Sequence, residues 1–432
     1  MSLTVGLIGI MVLLFLLFLR MPIGFAMALA GFAGFSNIVS VNAALNLLAK
    51  DIFATFSSYS LTVVPLFVFM GYIAFQSGMG QRLYYATYRA LGHYRGGLTM
   101  ATIAGCAGFA AICGSTNATA ATMGTVTIPE MRRYNYDLAL ATGAVAAGGT
   151  LGILIPPSSV FIIYGIMTEQ SIGKLFLAGV LPGILLSVLF ILTIYVICRR
   201  NPILGPPGPV SSFKEVLLSL TGIGETLLLF CLVMGGIFFG FFTPTEAGGV
   251  GAFGAMVIAL IRRQLNWKKF FVAVEDTVQT SCMILMIVAG AVIFGRFLSV
   301  TRIPFELASW VSGLPLPPIA ILGVILMIYA VGGLFMDALA FMMLTISIFF
   351  PVAMKLGFDP IWFGVLIIVI TEIGAITPPV GINVFVIKGV AKDVPLEVIF
   401  RGIFFFLPAY IICMILLIIF PQIALFLPNL IR

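Results

Sequence analysis

Charged residues are scarce in this chain: Asp, Glu, Lys and Arg together supply 9% of 432 residues, and histidine occurs once, at His93 in a basic stretch. A soluble domain needs roughly a quarter of its residues charged, so an ordinary globular protein is excluded. With a single loop histidine there is no base for a serine–histidine arrangement and no histidine-rich metal centre. Cysteine is sparse as well, and Cys106, Cys113, Cys198, Cys231, Cys282 and Cys413 show no C-x-x-C spacing. They lie in or beside apolar segments and read as packing residues. The formal charge of +7 would point to nucleic acid in a soluble chain, but here the basic residues bunch at the ends of apolar runs, which is a topology signal. No nucleic-acid partner is expected.

What fills the chain is hydrocarbon: 61% apolar residues and a mean hydropathy of +1.21. Runs of spanning length recur at 4–19, 60–76, 175–198, 223–242, 245–261, 281–300, 319–336 and 402–425. The reading is an all-α polytopic membrane protein embedded in a lipid bilayer. The first run lacks a basic flank and a small-residue cleavage site, so it is expected to remain as a span.

Two stretches interrupt these helices alike: Gly152-Ile-Leu-Ile-Pro156-Pro157-Ser158-Ser159 and Gly374-Ala-Ile-Thr-Pro378-Pro379-Val380-Gly381. A double proline removes two backbone donors and disfavours helix before it, leaving carbonyls without partners. In hydrocarbon such a break survives only where protein, water, an ion or a substrate fills it. One break in each half of a polytopic chain predicts a solute site near the bilayer midplane.

The prolines lie 379 − 157 = 222 positions apart, and the same offset aligns Pro22 with Pro244, Pro129 with Pro351, Asp137 with Asp359 and Gly152 with Gly374. These are residues that shape a backbone, so the chain reads as a duplicated unit. Basic residues follow span one (Arg20) and gather at Arg82, Arg89 and Arg95, at Arg132 and Arg133, and at Arg199 and Arg200. The equivalent loops of the second half are poor in them. There the basic segments are 262–269 and 388–401, whose first-half partners are nearly neutral. Since short cytoplasmic loops carry the positive excess, the halves are predicted to be inverted, each with about five spans and a re-entrant hairpin, and with both termini periplasmic.

The first repeat is placed at 1–200, with a hairpin at 98–130 and a broken helix at 137–167. A cytoplasmic linker follows at 201–221, proline-dense from Asn201 to Pro209, and the second repeat covers 222–432, with a hairpin at about 319–354 and a broken helix at 359–390. The stretch 40–58 is expected to be an interfacial arm.

Polar residues in the apolar stretches mark the site. The first hairpin turns through Cys113-Gly-Ser-Thr-Asn-Ala-Thr119, and the second through Gly332-Gly-Leu-Phe-Met-Asp337, so Ser115 matches Asp337. Half-helix C-termini offer carbonyls suited to Na⁺, and N-termini offer amides suited to carboxylates. Ser and Thr can equally bond back to their own helix. Asp337 and Glu372 sit where a charge costs roughly 2.5 kcal/mol or more unless paired, so each is a functional candidate or a protonated packing residue. Asp137 and Asp359 each open a helix and read as N-caps. Arg296 either snorkels to the interface or, facing the cavity, clamps a carboxylate; Lys388 is expected to snorkel.

The strings Gly148-Gly-Thr-Leu-Gly-Ile-Leu-Ile-Pro-Pro-Ser-Ser159, Ser171-Ile-Gly-Lys-Leu-Phe-Leu-Ala-Gly-Val-Leu-Pro-Gly183 and Thr371-Glu-Ile-Gly-Ala-Ile-Thr-Pro-Pro-Val-Gly-Ile-Asn383 resemble the large membrane subunit of TRAP, tripartite ATP-independent periplasmic, transporters. The likeness covers essentially the whole chain. It implies an elevator-type fold like that of the ion-transporter superfamily and a Na⁺-coupled importer of an organic acid, of the sialic acid or dicarboxylate type, in the bacterial inner membrane. It also implies a small membrane subunit and a periplasmic substrate-binding protein as partners, with two or more Na⁺ ions coupled to transport. The chain begins at the large-subunit pattern, so the small subunit is expected as a separate chain.

By the same resemblance, one Na⁺ site involves Ser115, Asn117, Gly152 and Ser158, and its symmetry mate involves Gly333, Gly374, Thr377 and Val380. Substrate is placed near Ser115, Thr116, Thr150, Pro157, Asp337 and Asn383. The repeats depart from symmetry at Ser115/Asp337 and Thr150/Glu372. One rival reading is a stand-alone Na⁺/carboxylate symporter that needs no binding protein. An intramembrane enzyme lacks the paired aspartates or the serine–histidine set, and a passive scaffold has no use for two costly helix breaks.

Overall fold

A computed structural model describes residues 2–210 and 212–430. Met1, Ser211, Ile431 and Arg432 fall within the ranges expected for the repeats and the linker and lie outside the described residues. The described chain is helical throughout, without a strand, and eight helices are long and apolar enough to cross a membrane.

In the first half the helices are α1 (Ser2–Phe18), α2 (Ile23–Ile38), α3 (Val41–Phe56), α4 (Val63–Gln76), α5 (Met79–Leu91), α6 (Gly97–Cys113), α7 (Thr116–Arg133), α8 (Leu138–Gly149), α9 (Leu151–Leu154), α10 (Ser159–Thr168) and α11 (Ile172–Arg200). The second half contains α12 (Phe213–Phe238), α13 (Pro244–Ile261), α14 (Trp267–Thr301), α15 (Ile303–Ser312), α16 (Pro318–Gly333), α17 (Ala338–Lys355), α18 (Pro360–Ile376), α19 (Ile382–Val390), α20 (Leu396–Ile403), α21 (Leu407–Ile419) and α22 (Gln422–Leu425).

The 222-residue offset holds element by element. It carries α7 onto α17 at both ends (116 + 222 = 338; 133 + 222 = 355), and the span from the start of α8 to the end of α9 onto α18 (138 + 222 = 360; 154 + 222 = 376). The N-caps explain this agreement. Asp137 accepts from Leu140 N at 2.9 Å, and Asp359 accepts from Ile361 N and Trp362 N at 2.8 and 3.0 Å, so each carboxylate sets where its helix begins. Ser115 and Asp337 likewise cap α7 and α17.

The halves are antiparallel. Tyr164, in the second half of α10, donates to the carbonyl of Pro360 at the start of α18. At the other end, Arg132 pairs with Asp393, just past α19, at 2.8 Å, while Gly143 of α8 meets the backbone of Gly402 in α20. The start of each broken helix therefore lies beside the end of the other, as an inverted pair requires. The Arg132 guanidinium donates to Asp393 and holds that exposed carboxyl below the usual carboxylate range. Arg82 and Arg262 are both paired with Glu225, and Arg89 with Glu215.

Three features differ from the sequence reading or were absent from it. The linker is shorter than expected, because α12 begins at Phe213, and it is not a free tether. Its backbone bonds the base of the first hairpin and the start of the broken helix: Gly96 N donates to Gly205 O and Gly208 N to Gly92 O, both at 2.8 Å, and Asp137 N donates to Leu204 O at 3.1 Å. The cysteines divide, with Cys231 and Cys282 exposed and the other four buried, and Cys282 stands on the wall of a cavity. The stretch expected to be an interfacial arm is the helix α3, separated from α4 by a turn at Ser57-Ser58, whereas its counterpart α14 runs unbroken for 35 residues.

Helices α2, α4, α13 and α14 pack on one another, with α1 against α2 and α14, through glycine contacts such as Gly24 on Gly290. The hairpins and broken helices form the second body, α6–α11 and α16–α21, in which α8 is almost wholly buried.

Candidate functional site: a polar centre between hairpin tips and helix breaks

Each hairpin tip sits on a helix break. At the first tip Gly114 holds φ +65°, a left-handed conformation that favours glycine, and Ser159 donates to its carbonyl at 3.2 Å. A Cβ on Gly152 would collide with the Ser115 carbonyl and come within 2.8 Å of Thr119 Oγ1. At the second tip Gly333 and Gly374 lie backbone on backbone, 2.6 Å from where a Cβ on Gly374 would stand. Both Pro–Pro bonds, 156–157 and 378–379, are cis.

A cavity of about 690 Å³ opens at the seam between the two bodies. Ser115, Thr116, Asn117, Asp337 and Glu372 line it from the hairpin body, and Tyr72 and Thr280 line it from the facing wall, hydroxyl to hydroxyl at 2.9 Å. The N-termini of α7, α10, α17 and α19 all reach it, through Thr116, Ser159, Ala338 and Ile382. No Lys, Arg or His is among its lining residues.

The remaining expected ligands stand behind this surface. Thr150 does not face the cavity: its hydroxyl is taken by Ala147 O and by Tyr410 of α21. The Asn383 amide lies 3.5 Å from Ala146 O, and Pro157 turns its carbonyl toward Gly114. Ser158 is fully buried and caps α10 through Phe161 N, while Thr377 donates back to Ile373 O, which leaves its oxygen lone pairs for another partner. Val380 occupies the position equivalent to Ser158 (158 + 222 = 380) in the second break.

Arg296 is not a clamp in the cavity. Its Nε lies 3.3 Å from Asp51 of the arm α3, because the helical phase of α14 turns it outward, where 60% of its side chain stays exposed. Lys388 donates to the carbonyls of Lys392 and Val394 and closes the turn after α19.

Two residues left out of the expected ligand sets belong to the centre. Glu372, 3% exposed, has its carboxylate 3.4 Å from the Thr116 hydroxyl. Thr119, fully buried, has a hydroxyl with the Cys113 thiol as a weak neighbour and no stronger hydrogen-bond partner, beside Gly152 and the Ser115 carbonyl. Its spacing of four from Ser115, on one helix face, was the available signal. Among the described residues no cluster of His, Cys, Asp or Glu could hold a metal ion. The oxygens at the tips, carbonyl and hydroxyl, are of the kind that suits a hard cation.

Inverted repeats with paired hairpins and broken helices around one cavity define a membrane transporter. Residues 10–423 match the family described as tripartite ATP-independent periplasmic transporter, DctM component. The chain belongs to that family, and is the large membrane permease of such a system, a multi-pass protein of the bacterial inner membrane and not an enzyme. It is 38% identical to the C4-dicarboxylate TRAP transporter large permease protein DctM of Pseudomonas aeruginosa, over 88% of this chain and 89% of that one. It is 32% identical to the sialic acid TRAP transporter large permease protein SiaM of Vibrio cholerae, over 96% of each. Its fold is similar to the crystal structure of the Alcanivorax borkumensis YdaH transporter, with a TM-score of 0.58 at 15% identity, covering 89% of this chain and 90% of that one.

Proposed function

We propose that this chain is the Na⁺-coupled translocating subunit of an organic-acid importer, fed by a periplasmic substrate-binding protein and assembled with a small membrane subunit. The observation that carries the reading is the placement of both hairpin tips against both helix breaks around one cavity. Unpaired backbone groups deep in a membrane need partners, and a travelling cation with a carboxylate supplies both signs.

One Na⁺ site uses the oxygens of Ser115, Thr119 and Gly152, with Asn117 and Ser158 adjacent; the second uses Gly333, Gly374, Thr377 and Val380. Substrate occupies the cavity against Ser115, Thr116, Asn117 and Asp337. The relatives' names, C4-dicarboxylate and sialic acid, support an organic acid as the solute. Because the cavity lies on a seam between two bodies, the hairpin body slides against the α2/α4/α13/α14 wall as an elevator.

The test is uptake into proteoliposomes holding this chain and its small subunit, with the binding protein outside. An inward Na⁺ gradient is expected to drive accumulation only when all three components are present. Accumulation by this chain alone would establish the stand-alone symporter instead, and accumulation without Na⁺ would remove the coupling.

A further inference from the structure

Arg296 stands in an apolar stretch of α14, and it does not line the central cavity. It lines a second hollow, of about 330 Å³, together with Asn46, Leu47, Lys50 and Asp51 of α3. Those four positions fall at i, i+1, i+4 and i+5, so one helical face of α3 presents them to α14. Arg296 spends its Nε on Asp51 at 3.3 Å. Its two terminal nitrogens and the exposed Lys50 ammonium have no hydrogen-bond partner among the described residues. The hollow sets two cations against one carboxylate, and it stays positive whichever protonation state Asp51 adopts.

The depth of this hollow follows from helix geometry. The α14 residues on the central cavity run from Thr280 to Ile287, around Ile284, which is also the middle of that 35-residue helix. The cavity of an inverted-repeat transporter lies near the bilayer midplane, so Ile284 marks that level. Arg296 comes twelve residues later, about 18 Å along the axis at 1.5 Å per residue. Hydrocarbon ends roughly 15 Å from the midplane and the headgroup region roughly 20–22 Å from it, which puts the guanidinium at the level of lipid phosphates. A tilt of about 20° shortens the distance by only ~1 Å. On the midplane side the surface turns apolar: half-buried Val292 precedes Arg296 by one turn on the same face.

We infer that this hollow binds the phosphate of an anionic phospholipid, with Lys50 and the terminal nitrogens of Arg296 as its cations and Asn46 as a neutral donor. A planar guanidinium matches two phosphate oxygens at once, and an ammonium adds a point charge beside them. The net positive charge favours phosphatidylglycerol over a zwitterionic headgroup, whose own cation would meet Lys50. The acyl chains run past Val292 toward the midplane. Bound there, the lipid joins α3 to α14 beside the Asp51–Arg296 pair, independently of the ion coupling proposed above.

The complex of permease and small subunit, in nanodiscs of mixed phosphatidylcholine and phosphatidylglycerol, would be read by native mass spectrometry for retained lipid and by thermal shift. Phosphatidylglycerol is expected to stay bound, enriched at least tenfold over phosphatidylcholine. Lys50→Gln is expected to lower that enrichment about fivefold, the contribution of one cation at headgroup level. Lys268→Gln, at the opposite end of α14, should leave it unchanged. Arg296 is kept intact because it also holds Asp51. Asn46→Lys adds a cation to the hollow and is expected to raise the enrichment, which keeps the proposal open to refutation should Lys50→Gln fail to assemble. Equal losses in Lys50→Gln and Lys268→Gln, or an unmoved enrichment in Lys50→Gln and Asn46→Lys, would assign any preference to diffuse bilayer electrostatics and overturn the inference. Inorganic phosphate that reproduced the thermal stabilisation would mark a site for the free ion instead. Lipid held by the permease alone but displaced by the small subunit would make the hollow a protein interface and overturn the inference as well.

Discussion

The Thr116 hydroxyl and the Glu372 carboxylate lie 3.4 Å apart across 256 residues of chain. One belongs to a hairpin tip in the first repeat and the other to a broken helix in the second. The contact shows that the two repeats share one centre, and it makes the surrounding glycines, hydroxyls and ion pairs testable.

Tip and break touch with no room for a side chain. A Cβ on Gly374 would stand 2.6 Å from Gly333 backbone atoms, and one on Gly152 would overlap the Ser115 carbonyl. Gly152→Val and Gly374→Val are each expected to cost ~1–3 kcal/mol through overpacking. Na⁺-driven uptake should fall more than tenfold while the complex still assembles, as read by proteoliposome flux beside size-exclusion chromatography. Undiminished flux in both variants would place the ion sites elsewhere.

A buried hydroxyl with only a weak thiol neighbour, as at Thr119, costs stability unless something stronger binds it. Thr119→Val keeps the shape and removes that oxygen. The Na⁺ concentration for half-maximal uptake is expected to rise about tenfold, equivalent to ~1.4 kcal/mol. Ser115→Ala and Thr377→Ala should shift it in the same direction. If Thr119→Val instead stabilises the protein and leaves the Na⁺ dependence as it was, no ion meets that hydroxyl.

Inversion fixes which residues face which side. In a background with native cysteines replaced, Cys at positions 132 and 393 should react with an impermeant maleimide only from the cytoplasm. Cys at position 355, where Lys355 meets Ser309 at the opposite end, should react only from outside. Labelling of 132 and 355 from the same side would contradict the antiparallel arrangement.

The arm α3 is pinned by Asp51 and Arg296, with the carboxylate 7% and the guanidinium 60% exposed. Removing the cation leaves a buried carboxylate, so Arg296→Ala is expected to cost about 1 kcal/mol, reduced from a fully buried value by solvent screening at the arginine. Asp51→Asn combined with Arg296→Ala should recover part of that loss in a thermal melt. A double variant no better than Arg296→Ala would assign the cost to lost packing of the arginine stem.

Much of this architecture was legible because it depends on local backbone chemistry. The double prolines, the Asp137 and Asp359 caps and the glycine at 114 act on neighbours within a few residues, so their consequences could be read in order along the chain. Residues whose roles depend on distant partners were not legible. Thr150 looked like a ligand until Tyr410, 260 residues away, took its hydroxyl, and Arg296 looked like a clamp until α3 offered Asp51.

By itself the sequence determined the class of molecule, the 222-residue duplication and the points where helices must stop, since hydrophobicity, missing N–H groups and capping side chains are properties of the residues themselves. The tertiary structure alone decided which oxygens converge, which carboxylate is left facing the cavity and how the two halves interlock. Those outcomes depend on the approach of segments hundreds of residues apart, and the side chain that satisfies a buried polar group is set by packing geometry that no local pattern encodes.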